Sequence, residues 1–427
     1  MTRVLAIAVP LLVSCWATDA QAQPAPQAPP QRLSLTDYLR RVLAANPDLA
    51  AARATVDIAR AQINVAKVFP DPEINLGVSQ YDVTRRGNPT ILATQLSLPI
   101  ELGGKRRSRI AVARSGLDAA DLDYADAVRM LRALAGNAFI NALHARTVVT
   151  QKQGALGHLE RLVEVNQRRL AAGDIAEVEL VQSRVEMQRF RAEVLDAEGE
   201  QQAAEVAMAQ LLGDRSNLSV QAGGELRAPP PALDQTMLAA SIEKRSDVHA
   251  SAVRLEGAQR QIDLEHAKRV VDVTVGAGWL HNFAVGGEPG LPSAEMLAAS
   301  LSVPIPFSRI YRGELEAAES AQRQAQSQLQ AIRIRAQAEL QEALARFEAA
   351  ARRVALYDGG TLVDASSVLE KTLYSYQRGE ATLVEVLVAQ RTASEIQLAY
   401  LDALADRAHA LVAVGQAAGL EEDLLQL

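Results

Sequence analysis

The chain repeats itself at an interval of about 206 residues. LSLPIELGGKR from Leu96 is answered by LSVPIPFSRIYRG from Leu301, and RLAAGDIAEVELVQSR from Arg169 by YQRGEATLVEVLVAQR from Tyr376. Asp48 falls opposite Asp247, Leu96 opposite Leu301, Gly173 opposite Gly379 and Gly213 opposite Gly419, at offsets of 199, 205, 206 and 206. The slack lies in the loop between two candidate strands. Such a unit is far longer than the roughly 20 to 50 residues of a solenoid repeat. The fold is therefore expected to be two copies of one elaborate unit, and function has to be read from its architecture.

Only 4% of the residues are aromatic, while Ala, Leu, Gln, Glu and Arg dominate, which is the usage of long helices and coiled coils. A net charge of −7 with no basic stripe argues against a nucleic-acid partner. The N-terminus, MTRVLAIAVPLLVSCWATDAQAQ, reads as a secretory signal over residues 1–22 with cleavage before Gln23. Cys15 is the only cysteine, so no disulfide framework or thiolate metal site can form. It follows Leu12-Val13-Ser14, so lipidation of Cys15 is the alternative to that cleavage. No later stretch has the ~18 apolar residues of a spanning helix.

A Pro-rich tether, 23–34, leads into the first unit at 35–213; a linker at 214–234 joins it to the second at 235–420, and 421–427 is a tail. Each unit opens with a helix pair, broken near Pro47 or Arg245. Period-two segments follow, at about 73–82 and 90–98, then 270–281 and 295–303. Ile74, Leu76 and Val78 alternate with Asn75, Gly77 and Ser79, and Leu92, Leu96 and Leu98 with Ala93, Gln95 and Ser97. In the second unit Val271, Val273, Val275 and Trp279 oppose Asp272, Thr274, Gly276 and Gly278, while Leu297, Ala299, Leu301 and Val303 oppose Ala298, Ser300 and Ser302. A soluble sheet also alternates. Strands of about 9 to 11 residues with one greasy and one small polar face, after an export signal and without a spanning helix, point instead to a membrane barrel. Four strands cannot close one, since such barrels begin at about eight strands. Three copies would supply about twelve and leave a watery lumen.

Each strand pair feeds a long helix, about 104–171 and 309–377, the first reaching roughly 100 Å at ~1.5 Å per residue. Ile110, Leu117, Tyr124, Leu131, Ala138 and Ala145 recur every seventh residue, as do Ala113, Ala120, Ala127, Leu134, Asn141 and Val148, predicting a coiled-coil seam. Both long helices stop at a glycine, Gly173 or Gly379, and reverse into return helices at about 176–212 and 382–418. The Pro-rich linker is expected outside the helical tube. Pro99 and Pro304 are expected to end strands, with Gly103-Gly104 bending the backbone into the helix. A nucleotide-loop reading of GGK fails, because Pro99 stands where a glycine is needed and Arg106 where Ser or Thr belongs.

The duplication, the strand pair in each half and the reversal followed by Val384-Glu385-Val386-Leu387 resemble the TolC-type outer-membrane efflux duct family over almost the whole mature sequence. IELGGKR at 100–106 and VPIPFSRIYRGE at 303–314 are most similar to its heavy-metal cation-efflux, CzcC-like, branch. The resemblance implies a mainly α protein with a β-barrel part. It further implies a homotrimer with a 12-stranded barrel in the outer-membrane lipid of a Gram-negative bacterium and a helical tube across the periplasm. The implied partners are a periplasmic adaptor, or membrane fusion protein, and an inner-membrane pump of the resistance-nodulation-division type. Aligning on the reversal glycines places Glu385 on the family's acidic gate position, Tyr376 on a gate tyrosine and Glu179 on the acidic position of the first repeat. Val388 and Ala381 depart from the family's gate aspartate and arginine. By charge pattern alone Glu179 and Glu385 read as solvated helix charges. The reversals, Leu170, Gly173 and Asp174 with Gly379, Glu380, Thr382 and Leu383, are the expected adaptor-docking tip.

His144, His158, His249, His266, His281 and His409 are scattered without metal-ligand spacing. No G-x-S-x-G or H-E-x-x-H motif is present. The expectation is a passive duct, not an enzyme, without cofactor or metal centre, exporting heavy-metal cations. The alternatives are a drug-efflux or type I secretion duct, or, in another class, a soluble periplasmic coiled-coil adaptor or structural rod.

Overall fold

The computed structural model describes residues 31–80, 90–213, 220–227, 233–283, 294–306 and 311–420. The signal segment with Cys15, most of the tether and the tail lie outside the described residues. Each half opens with capped helices. Ser34 caps α1 (Leu35–Ala45), its hydroxyl accepting from the Asp37 amide, and Asn46 caps α2 (Pro47–Lys67), accepting from Asp48 and Leu49. Pro47 at the first helical position loses no bond there. The second half begins with α5 (Gln235–Ser241), a short 3₁₀ turn and α6 (Ser246–Lys268).

The strands β2 (Glu73–Gln80), β3 (Thr90–Ile100), β5 (Val273–Phe283) and β6 (Ala294–Ser302) form one antiparallel sheet in the order β2-β3-β5-β6. The register sets Ile74 opposite Leu96, Leu98 opposite Val275, and Val275 opposite Leu301, so the apolar residues of both repeats share a face. That face is bare: Leu76 is 73% exposed and Leu297 90%. On the other face Gln95 Nε2 donates to Ser300 Oγ at 2.6 Å and Asn75 Nδ2 to Ser97 Oγ at 3.2 Å. Gln95 reaches Ser300 across Gly276, where any Cβ would collide with both side chains.

Pro99 does not end its strand. It pairs with Thr274, and β3 continues to Ile100. The missing amide is tolerated because β2 starts at Glu73 opposite Ser97, leaving Pro99 with a neighbour on one side only. Pro304 does lie beyond the end of β6. Gly103 and Gly104 turn the chain with φ of 71° and 76°, and a Cβ at Gly103 would come within 2.6 Å of Val270.

From this bend α3 (Lys105–Ala172) runs for 68 residues, packed against α2, α6, α9 and the return helix α4 (Glu177–Leu211). The predicted heptad seam is not its buried stripe. Leu134 is 55% exposed, whereas Ala135, Phe139, Ile140, Ala142 and Leu143 are buried. A helix with several neighbours buries more than one face, so a two-stranded template misplaces the stripe. The second long helix is not continuous either. A π turn at Tyr357–Thr361 separates α7 (Arg312–Leu356) from α8 (Leu362–Gln377), and Gly360 takes φ 131°. Adjacent Gly359 and Gly360 explain why the helix breaks register there. The return helix α9 (Leu383–Ala418) closes the second half.

The connecting segments also carry structure. The parallel pair β1 (Gln31–Leu33) and β4 (Val220–Ala222) ties the tether to the linker. Val220 and Ala222 are buried in the main core with Tyr38, Phe139 and Leu143. This stretch, just before the Pro-rich segment that starts at Glu225, is held among the helices by its own apolar residues and by Arg146, which donates to the Ala222 carbonyl. Tyr38 closes the same core, its hydroxyl donating to the Met208 carbonyl at 2.9 Å. Among the described residues, no helix is long and apolar enough to cross a membrane.

Candidate functional site at the helix reversals

Both long helical segments end in the same backbone device. Gly173 N–H donates to the Leu170 carbonyl and Asp174 N–H to that of Arg169, at 3.0 and 2.9 Å; Gly379 donates to Tyr376 and Glu380 to Ser375 at the same distances. This is the Schellman closure, and it needs a left-handed residue. The two glycines have φ of 82° and 79°, and a Cβ on either would meet nothing within 4 Å, so conformation alone favours glycine.

Within two turns of the reversals a partly buried polar cluster lies between α3, α4 and α8. Tyr376 is 2% exposed. Its hydroxyl lies 2.8 Å from Asn166 Oδ1 and 3.3 Å from Glu179 Oε2, and its single proton can serve one of them at a time. Arg169 donates to the Tyr376 carbonyl at 3.2 Å and holds its guanidinium 4.9 Å from the ring centroid. Burial first, and then the Glu179 carboxylate, push the Tyr376 pKa up, with Arg169 acting against them. The phenol therefore stays neutral and remains a donor. Asn166 is fully buried, and its Nδ2 has no partner among the described residues. Leu159, Leu162, Leu383 and Val386 pack around this cluster.

Of the residues singled out by sequence, Tyr376 and Glu179 are brought together. Glu385 is not. Its exposed carboxylate accepts from the Thr382 amide at 2.7 Å and from the Thr382 hydroxyl at 3.1 Å, while Thr382 Oγ1 accepts from the Glu385 amide. This capping box starts α9, and the T-x-x-E spacing that signals it was open to reading. Gly173, Asp174, Gly379, Glu380 and Thr382 are exposed at the reversals, and Leu170 is half-buried. Leu383 is 2% exposed and faces inward, so it anchors α9 and presents no docking surface in this chain. Asn166 and Arg169 were missed. Their signal was a polar residue breaking the apolar face of Leu159, Leu162 and Val163, seven and four or three positions earlier.

The histidines have ordinary partners where these are described: His144 meets Asp402 at 2.9 Å and His409 meets Asn137 at 2.7 Å. Among the described residues, no three His, Cys, Asp or Glu side chains are placed to hold a metal ion.

A duplicated helical body carrying a bare-faced antiparallel sheet defines a class of membrane channel. The family model described as outer membrane efflux protein matches residues 38–214 and 237–420, one match for each repeat, and the chain belongs to this family. It is a transport protein of the outer membrane whose helical body extends into the periplasm. The chain is 27% identical over 387 residues to the cobalt-zinc-cadmium resistance protein CzcC of Cupriavidus metallidurans, covering 91% of this chain and 90% of that protein. Among solved structures, the CusC channel matches with a TM-score of 0.74 at 19% identity, over 95% of this chain and 99% of that one. The open state of the MtrE outer membrane channel of Neisseria gonorrhoeae matches with 0.73 at 19% identity, over 92% and 91%.

Proposed function

We propose that three copies of this chain close their sheets into one 12-stranded barrel and form a passive duct from periplasm to exterior, with no catalytic step. The observation that carries this reading is the sheet. Its apolar face is exposed along all four strands, and β2 and β6 each keep an edge with no partner among the described residues. Lipid tolerates such a face only where every edge is paired. Closing the barrel leaves Gln95, Asn75, Ser97 and Ser300 lining a wet lumen.

The reversals then form the periplasmic tip, where Asp174, Glu380 and Thr382 meet an adaptor, and an inner-membrane pump of the resistance-nodulation-division type supplies the energy. Heavy-metal cations are the cargo, supported by the likeness to a cobalt-zinc-cadmium resistance protein. The gate is the Tyr376, Asn166, Glu179 and Arg169 cluster, which ties α8 to α3 and α4, with Glu385 contributing charge near the axis. Disrupting the gene in its native host tests the cargo. Sensitivity to cobalt, zinc or cadmium, restored by the intact gene, supports metal export. Unchanged metal tolerance with sensitivity to organic drugs would overturn it.

A further inference from the structure

Where the strands meet the helices, a cation is left facing outward on an exposed aromatic ring. Arg106, in the first turn of α3, donates its Nε–H to the Lys67 carbonyl at 2.7 Å and lies with Cζ 4.2 Å from the centroid of Phe69. Its two terminal amino groups have no bonded partner among the described residues. Phe69 is 64% exposed and Val68 57%, although both sit in a short link between α2 and β2 with no core of their own. The neighbouring acids are mostly spent: Glu101 pairs with Arg109, and Asp272 with Lys105 at 2.7 Å. Glu73 has the parity of Asn75 and Gly77 and falls on the polar face of β2. That leaves Lys67 and Arg106 against the exposed carboxylate of Asp71.

The link continues directly into the bare face begun by Ile74, at the end of the sheet nearest the helices. In a membrane protein an exposed aromatic beside a cation at the end of the apolar band is the arrangement of the lipid headgroup level. A guanidinium anchored through Nε beside a ring, with both terminal amino groups unbonded among the described residues, offers a pair of donors to two phosphate oxygens.

We infer that Arg106, Phe69 and Lys67 form a binding site for the phosphate of an anionic phospholipid in the periplasmic leaflet. The guanidinium and the Lys67 ammonium take the phosphate, and Phe69 and Val68 pack on the start of the acyl chains. The site presupposes the lipid-facing barrel wall proposed above. A protein that conducts ions but lacks the site would fail here without disturbing that reading.

The test is native mass spectrometry of the full-length, detergent-purified, delipidated protein, titrated with dioleoyl phosphatidylglycerol and separately with dioleoylglycerol, which has the same tails and no phosphate. The wild type should bind phosphatidylglycerol at least about tenfold more tightly than dioleoylglycerol. Arg106→Gln should lose about tenfold in phosphatidylglycerol affinity, and Arg106→Lys should keep part of it. Lys67→Gln changes an exposed side chain and is read in parallel. It should weaken binding in the same direction, which keeps the test decisive if Arg106→Gln misfolds. Equal binding of the two lipids, or unchanged phosphatidylglycerol binding in Arg106→Gln or Lys67→Gln, would overturn the site. So would loss of the oligomer in Arg106→Gln at unchanged thermal stability, because a second copy would then be what covers Phe69.

Discussion

Tyr376 on α8 and Asn166 on α3, 210 residues apart in sequence, meet at 2.8 Å where the long and return helices turn back on each other. Glu179 on α4 reaches the same hydroxyl, so one phenol joins three helices from both repeats. The contact ties α8 to α3 and α4 through one side chain.

Replacing Tyr376 by Phe removes the hydroxyl and leaves Asn166 and Glu179 without it. Buried groups deprived of a partner cost about 1–3 kcal/mol. Tyr376→Phe is expected to lower thermal stability by that order and raise resting single-channel conductance. Unchanged conductance at reduced stability would make the cluster structural only.

Glu385 separates two roles. As the partner of Thr382 it starts α9, and removing such a cap costs about 1 kcal/mol. Thr382→Ala should therefore lower the melting temperature without altering ion selectivity. Glu385→Gln should, in addition, weaken cation selectivity and block by divalent cations, because a ring of carboxylates favours cations. Selectivity recorded at low salt, where screening is least, decides the point. An unchanged value leaves Glu385 as a cap.

Some of this was legible in the sequence and some was not. The strands were readable because one face is apolar on every second residue, from Ile74 to Val78 and from Leu297 to Leu301, and the repeat doubled each signal. The reversals were readable because glycine is the residue that most easily takes the left-handed position of the Schellman closure. The π turn was written as Gly359-Gly360, yet helical periodicity continues on both sides and hides it. The buried stripe of α3 was misread because the helix packs against α2, α4, α6 and α9, and a single heptad frame for a two-stranded seam cannot express several neighbours. The Tyr376 cluster was half legible: Asn166 shows locally only as a polar residue on the apolar face of Leu159, Leu162 and Val163, and its pairing with Tyr376 comes from three-dimensional packing.

Stability should depend on pH through His409. Burial pushes its pKa below the ordinary 6.5, the Asp406 carboxylate opposes this, and His144 adds to it. Asp406 is itself held by Arg353 at 2.8 Å. A folded pKa below the unfolded one means that the unfolded chain takes up the proton first as pH falls. The contribution of His409 is thus full above about pH 6.5 and is lost as pH drops through the folded value. The melting temperature should fall between pH 6.5 and 5 in the wild type and fall less in His409→Asn. Parallel curves would assign the dependence to other groups.

The exposed tip is tested by Glu380→Trp, which adds bulk beyond the Gly379 closure without touching a buried residue. Export in the presence of the partner proteins is expected to be abolished at unchanged yield of the assembled protein. Full export would place the adaptor elsewhere.

A duct of the kind proposed requires this chain to be one third of a water-filled assembly. Purified full-length protein in detergent, sized by light scattering and then added to planar lipid bilayers, tests it in one preparation. The expected result is a trimer that inserts and gives ohmic single-channel currents. A monomer that stays dispersed without detergent and gives no conductance would contradict it.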